Sequence, residues 1–167
     1  LELRRRGLFT AKSRAAAISV GSNTALILLK VVAGLLTGSI SLIAEAVHSV
    51  NDLAAAVIAF FSVRISDRPA DEQHAFGHGK AENLSGIAEA LLIFVAAGII
   101  ISEAIHRLIA RAALEFVEIG LGIMVVSIVV NILVSRYLLK VSRHTDSLAL
   151  EADARHLTTD VMTMVGV

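Results

Sequence analysis

An all-α integral membrane bundle is the fold class this sequence predicts, and three observations predict it. The 167 residues are 56% hydrophobic, with one Pro, no Cys and no Trp, and the mean hydropathy of +0.76 is too high for an ordinary soluble domain. Runs of about 20 Ala-, Val-, Ile- and Leu-rich residues recur along the chain, each long enough to cross roughly 30 Å of hydrocarbon as a helix. The turn residues of a β-barrel are missing. Five spans are expected, at residues 15–36, 40–63, 84–105, 116–139 and 148–167, with a sixth beyond the C-terminal end. The chain opens on Leu1 and stops inside an apolar run, so it reads as a fragment: a basic segment (1–14) and an incomplete transmembrane domain (15–167).

The first element is the basic stretch with Arg4, Arg5, Arg6, Lys12 and Arg14, followed by no signal-peptide cleavage pattern. Together with Arg64, Arg68 and Lys80 after span 2, and Arg136, Lys140 and Arg143 after span 4, it puts 11 basic residues on one side. The opposite side has only Arg107 and Arg111, which predicts a multi-pass protein with a cytoplasmic N-terminus. Basic and acidic residues balance at 15 each, so nucleic acid is not an expected partner. Without Cys, any metal has to be held by His and carboxylate.

Polar residues inside the spans are costly and therefore informative. Asn23 and Lys30 in span 1, Glu89 in span 3, and Ser127 and Asn131 in span 4 read as interhelical partners. Spans 2 and 5 differ in kind. Ala44-Glu45-Ala46-Val47-His48-Ser49-Val50-Asn51-Asp52 and Ala152-Asp153-Ala154-Arg155-His156-Leu157-Thr158-Thr159-Asp160 write one pattern twice: Ala, acid, Ala, any residue, His, then Asp four residues later. Four residues are about one helical turn, so each His shares a face with its Asp, roughly 6 Å apart.

The two spans run in opposite directions, and counting from their ends puts both motifs about 12–18 Å deep, near the bilayer midplane. That sets His48 opposite Asp160 and Asp52 opposite His156. Two imidazoles and two carboxylates make a tetrahedral site for a divalent metal. With both Asp ionised and both His neutral, the site carries two negative charges, which one divalent cation or two protons cancel. This favours metal–proton exchange, because imidazole switches between ligand and proton carrier near neutral pH. Glu45 and Asp153, one turn before each His, are expected as an accessory pathway, either attracting cations at the two mouths or bonding to a ligand His.

The loop after span 2, Asp67-Arg68-Pro69-Ala70-Asp71-Glu72-Gln73-His74-Ala75-Phe76-Gly77-His78-Gly79-Lys80, holds a second candidate site. Asp71, His74 and His78 have a spacing compatible with zinc. His106 and His144 near span ends have no such company. A metalloenzyme is disfavoured: six His are too few for a di-iron box, and no His-Glu-x-x-His occurs.

Three motifs in order, the two above and His74-Ala75-Phe76-Gly77-His78-Gly79-Lys80-Ala81-Glu82, resemble the cation diffusion facilitators, the zinc-transporter family. The resemblance covers the chain from about Ala15 to its end. It implies six transmembrane helices, a homodimer and a cytoplasmic C-terminal domain. It also implies a transport site at His48, Asp52, His156 and Asp160 and a loop site at Asp71, His74 and His78. The expected activity is efflux of Zn2+ against protons by alternating access, with Fe, Co, Ni, Cd or Mn as the alternative cargo. Glu45 stands where the family more often has Asp, and Arg155 is unusual beside a ligand His.

Overall fold

The structure is a computed structural model that describes residues 2–110 and 117–166. Those residues form five helices: α1 (Glu2–Thr37), α2 (Ile40–Ser66), α3 (Lys80–Ala110), α4 (Val117–Thr145) and α5 (Leu148–Gly166). Of the sequence landmarks, Arg111, Phe116 and Val167 lie outside the described residues. α1 begins at Glu2, so the basic segment is continuous with the first span.

Four helices contain stretches long and apolar enough to cross a membrane: Ala11–Thr37, Glu45–Ser66, Lys80–Ile99 and Ile119–Thr145. Their outward faces carry Leu36, Phe61, Leu84, Phe94 and Leu133, all more than half exposed, as lipid-facing side chains are. α5 is long enough, but Glu151, Asp153, Arg155 and Asp160 keep it off the apolar criterion. It is sheltered by its neighbours instead, packing against α4, α3 and α2. Asp153 and His156 are at most 1% exposed there.

The connections force antiparallel neighbours. α1 turns into α2 through Gly38, whose φ of +69° is the left-handed conformation that suits a residue without Cβ. Ser39 then caps α2, accepting a bond from Leu42 N at 3.4 Å. Just before that turn, α1 and α2 come so close at Gly34 that an added Cβ would lie 2.7 Å from Ile43 Cδ1. The α4–α5 turn uses Asp146 in the left-handed region (φ 49°), and Ser147 N closes it on Ser142 O at 3.2 Å.

One polar clasp ties four of the elements together at the end where α1 starts. Lys12 Nζ on α1 lies 3.0 Å from Glu82 Oε1 on α3 and 3.8 Å from Asp67 Oδ1 after α2. The other Glu82 oxygen accepts from Ser147 Oγ at 2.7 Å and from Ala149 N, in the first turn of α5, at 3.4 Å. A carboxylate at a helix N-terminus satisfies amides that have no partner within the helix. The clasp fixes the near ends of α1, α2, α3 and α5 at one level. Beside it lies a core of small and branched residues: Ala15, Ala16, Ala59, Val63, Val134, Leu138, Ala149, Leu150, Ala154 and Leu157. Small side chains let helix backbones approach closely, the usual basis of packing inside a bilayer.

Candidate metal centre

Two groups of metal-binding side chains form among the described residues: Asp52, His156 and Asp160 inside the bundle, and Asp71, His74 and His78 in the loop. Within each group the donor atoms all lie within 4.8 Å of one another.

The buried group depends on α2 and α5 meeting. Ala55, Ala56 and Ala59, which follow Asp52 on α2, and Ala149 and Ala154 on α5 are all fully buried. This alanine-lined approach brings Asp52 Oδ1 to 3.5 Å from His156 Nε2. Asp160 Oδ2, one turn along α5, lies 3.8 Å from the same nitrogen. Neither ring nitrogen of His156, nor Asp160 Oδ2, has a hydrogen-bond partner within bonding distance among the described residues. Buried polar atoms are rarely left without partners. Two carboxylates converging on an imidazole with open donors fit a divalent cation, which would satisfy all three at once. A cavity of about 50 Å³ leads to the group between α3 and α5, lined by Ile93, Ala96, Ala97, His156, Thr159, Asp160 and Thr163. All the α3 and α5 residues in that lining, except His156 and Asp160 themselves, lie on the side away from the clasp.

His48 is not in the group. A symmetrical crossing would set Asp52 against His156 and His48 against Asp160. Here the donors of Asp52 lie within 4.8 Å of both residues of the second motif, and His48, one turn or about 6 Å along α2, is not in the group. How two helices cross is not encoded in the spacing of residues along either one.

The accessory acids differ from each other. Glu45 is paired with Lys30 of α1, Oε1 to Nζ 3.1 Å, and Lys30 also donates to Ser49 Oγ at 2.7 Å. Asp153 is at no mouth: it is wholly enclosed, with neither carboxylate oxygen hydrogen-bonded among the described residues. Glu89 on α3 is equally enclosed, held by Ser85 Oγ at 2.9 Å, and faces Asp153 and His156 among its charged neighbours. Its presence in an apolar span was the sequence's only sign of this inner acid. Arg155 points away from the group and binds Glu151 Oε1 through Nε at 3.0 Å and Nη2 at 2.7 Å.

The loop group, with Asp71 and His74 exposed and His78 half-buried, is built by backbone geometry. Asp71 Oδ1 accepts from His74 N at 2.7 Å and Gln73 N at 3.0 Å, and lies 3.1 Å from His74 Nδ1. Its other oxygen is 3.3 Å from His78 Nε2. Gly77, at φ +80°, turns the chain so that the two imidazoles lie 4.4 Å apart, centroid to centroid. The bond from His74 N, with the side-chain and Gln73 bonds, holds the Asp71 carboxyl below its ordinary value of 3.8.

Comparison with known proteins bears on this arrangement. The family described as the cation efflux transmembrane domain matches residues 16–167. An uncharacterised transporter of Synechocystis, sll1263, is 38% identical over 152 residues, covering 91% of this chain and 49% of that protein. The cation-efflux pump FieF of Salmonella paratyphi A is 37% identical over 150 residues, 90% of this chain and 50% of the pump. The chain thus spans about half the length of the curated relatives it matches. With the match running through every helix and both clusters, the chain belongs to the cation efflux family, the cation diffusion facilitators, whose members are transporters rather than enzymes.

Proposed function

We propose that this chain is the metal-handling part of a divalent cation efflux transporter that exchanges Zn2+ for protons by alternating access. The observation that carries the reading is the buried Asp52–His156–Asp160 group, with donors within 4.8 Å of one another and ring nitrogens without partners. In this reading His48 completes a four-donor set when α2 shifts by part of a turn, and the ion enters or leaves along the cavity beside Thr159 and Thr163. The clasp at Lys12, Glu82 and Ser147 closes the other route. Two carboxylates balance one divalent ion in one direction and two protons in the other. Following the excess of basic residues, the clasp end is cytoplasmic.

Asp71, His74 and His78 hold a second ion at that cytoplasmic end. The chain works in the lipid bilayer and assembles as a homodimer through the full-length protein. His and carboxylate donors suit zinc but also Fe, Co, Ni, Cd and Mn, because affinity alone follows the Irving–Williams order. Competition among these metals in flux measurements decides the cargo.

The test is zinc flux into proteoliposomes holding the full-length protein. His48→Ala, Asp52→Ala and Asp160→Ala are each expected to abolish flux driven by an opposing pH gradient. Unchanged flux in all three would sink the reading, and wild-type flux indifferent to the gradient would leave a uniporter in place of an exchanger.

A further inference from the structure

Lys30 is an ammonium in the middle of an apolar helix, and the whole residue is only 5% exposed. Burying a cation in a bundle costs several kcal/mol before its partners are counted. Here it also stands beside a group that the proposed transport reading fills with a cation, so it opposes the very binding it adjoins. A helix contact alone would be met by Leu or Met at no such cost. Its partners explain its presence. Nζ lies 3.1 Å from Glu45 Oε1 and 2.7 Å from Ser49 Oγ, residues that flank His48 on α2. Lys30 is also among the charges that act on Asp160.

The charges around the site then add up in a particular way. The two donor carboxylates, Asp52 and Asp160, carry two negative charges, and the Lys30–Glu45 pair beside them adds none. Two matches one divalent cation. The enclosed acids Asp153 and Glu89 also neighbour His156, but their contribution is the same with or without Lys30. Without Lys30, Glu45 adds a third charge, and a divalent ion would sit in a residual negative field from which release is slow. We propose that Lys30 is a built-in counter-cation of the transport site: by neutralising Glu45 it keeps the charge facing the metal at two and so lets bound metal leave. It is a positioning residue, acting through the field and not by touching the ion, and this assignment rests on the transport reading above.

The test uses the full-length protein, with zinc affinity measured by competition against a fluorescent chelator and flux measured in proteoliposomes. The intramembrane binding event is identified as the one lost in Asp160→Ala. Lys30→Met is expected to tighten that event about tenfold or more while slowing flux about tenfold, because one uncompensated charge in a low-dielectric site acts on binding with that order of magnitude. Glu45→Gln, whose amide keeps a polar contact with Lys30, is expected to weaken binding about tenfold, since it leaves the Lys30 charge uncompensated. The double variant Lys30→Met/Glu45→Gln restores the sum of two and is expected to return affinity to within about threefold of wild type and to recover flux. A residue that merely packs would lower flux without this signed pattern. Affinity unchanged in Glu45→Gln, or a double variant no nearer wild type than its singles, overturns the assignment of Lys30 while leaving the transport reading standing. Wild-type protein that moves no divalent metal overturns both.

Discussion

Asp71 shows how one side chain organises a site before any ion arrives. Its Oδ1 collects two backbone amides and an imidazole, while Oδ2 faces His78. Those donors favour the ionised form, so the carboxyl is held below 3.8. Order that depends on the charged carboxylate is therefore complete above 3.8 and is lost only as the pH falls through the lower, folded value. Imidazoles as a class titrate between about pH 5 and 8, well above that window. Zinc held in the loop is accordingly expected to keep an ionised Asp71 as a ligand down to about pH 5, so that release above that pH does not come from the carboxyl. The check is the carboxyl carbon-13 shift of Asp71 followed by NMR alongside zinc titrations. A carboxyl shift that moves together with zinc loss above pH 5 would show that Asp71, and not the imidazoles, controls release.

At the scale of elements, the decisive joint is Glu82, which bonds to α1 and α5 from α3. It is 4% exposed and engaged by Lys12, Ser147 and Ala149. Removing it leaves Lys12 only the longer contact to Asp67 at 3.8 Å and reopens the α5 N-terminus, so Glu82→Ala is expected to cost about 3 kcal/mol, the usual loss on breaking a buried ion pair. Thermal unfolding in detergent measures it, and Glu82→Gln, which keeps acceptance from Ser147 and Ala149, is expected to lose less. Equal losses in both variants would assign the stability to the ion pair alone. Much of this level was legible in advance, because four helices announce themselves by length and apolarity and α5 by its motif. What was not legible is how the helices meet. The sequence places Asp52 and His156 each on a helix face, but that Asp52 meets both His156 and Asp160 while His48 stays out of the group depends on how α2 and α5 pack. The pairing of Lys30 with Glu45 is of the same kind: both residues are visible as unusual, and only the packing of α1 on α2 makes them partners. Arg155 reads as an anomaly beside a ligand and proves to be its neighbour in sequence only, turned about 100° away to Glu151.

At the scale of the whole molecule the two ends of the bundle are unequal. Beyond the buried group, a cavity separates α3 from α5 at Ala97 and Thr163. On the other side, Leu150, Ala154 and Leu157 are fully buried and the clasp closes over them. In the proposed transport reading, alternating access means parting the clasp while closing the cavity, since both adjoin the same helix, α5. The 167 residues contain no cysteine, so a single cysteine placed among them is the only thiol of this part, and any elsewhere in the full-length protein is first replaced by Ser. In the full-length protein, Thr163→Cys is expected to react with a water-soluble thiol reagent and to be protected by zinc, whereas Leu150→Cys is expected to stay unreactive. Adding Glu82→Gln to each should reverse the order by weakening the clasp: faster labelling at position 150 and slower labelling at position 163. Because the two rates must move in opposite directions, simple loosening of the fold is distinguishable, as it would raise both. Labelling at position 150 that ignores Glu82 would mean that the hydrophobic packing of α5, and not the polar clasp, keeps this end shut.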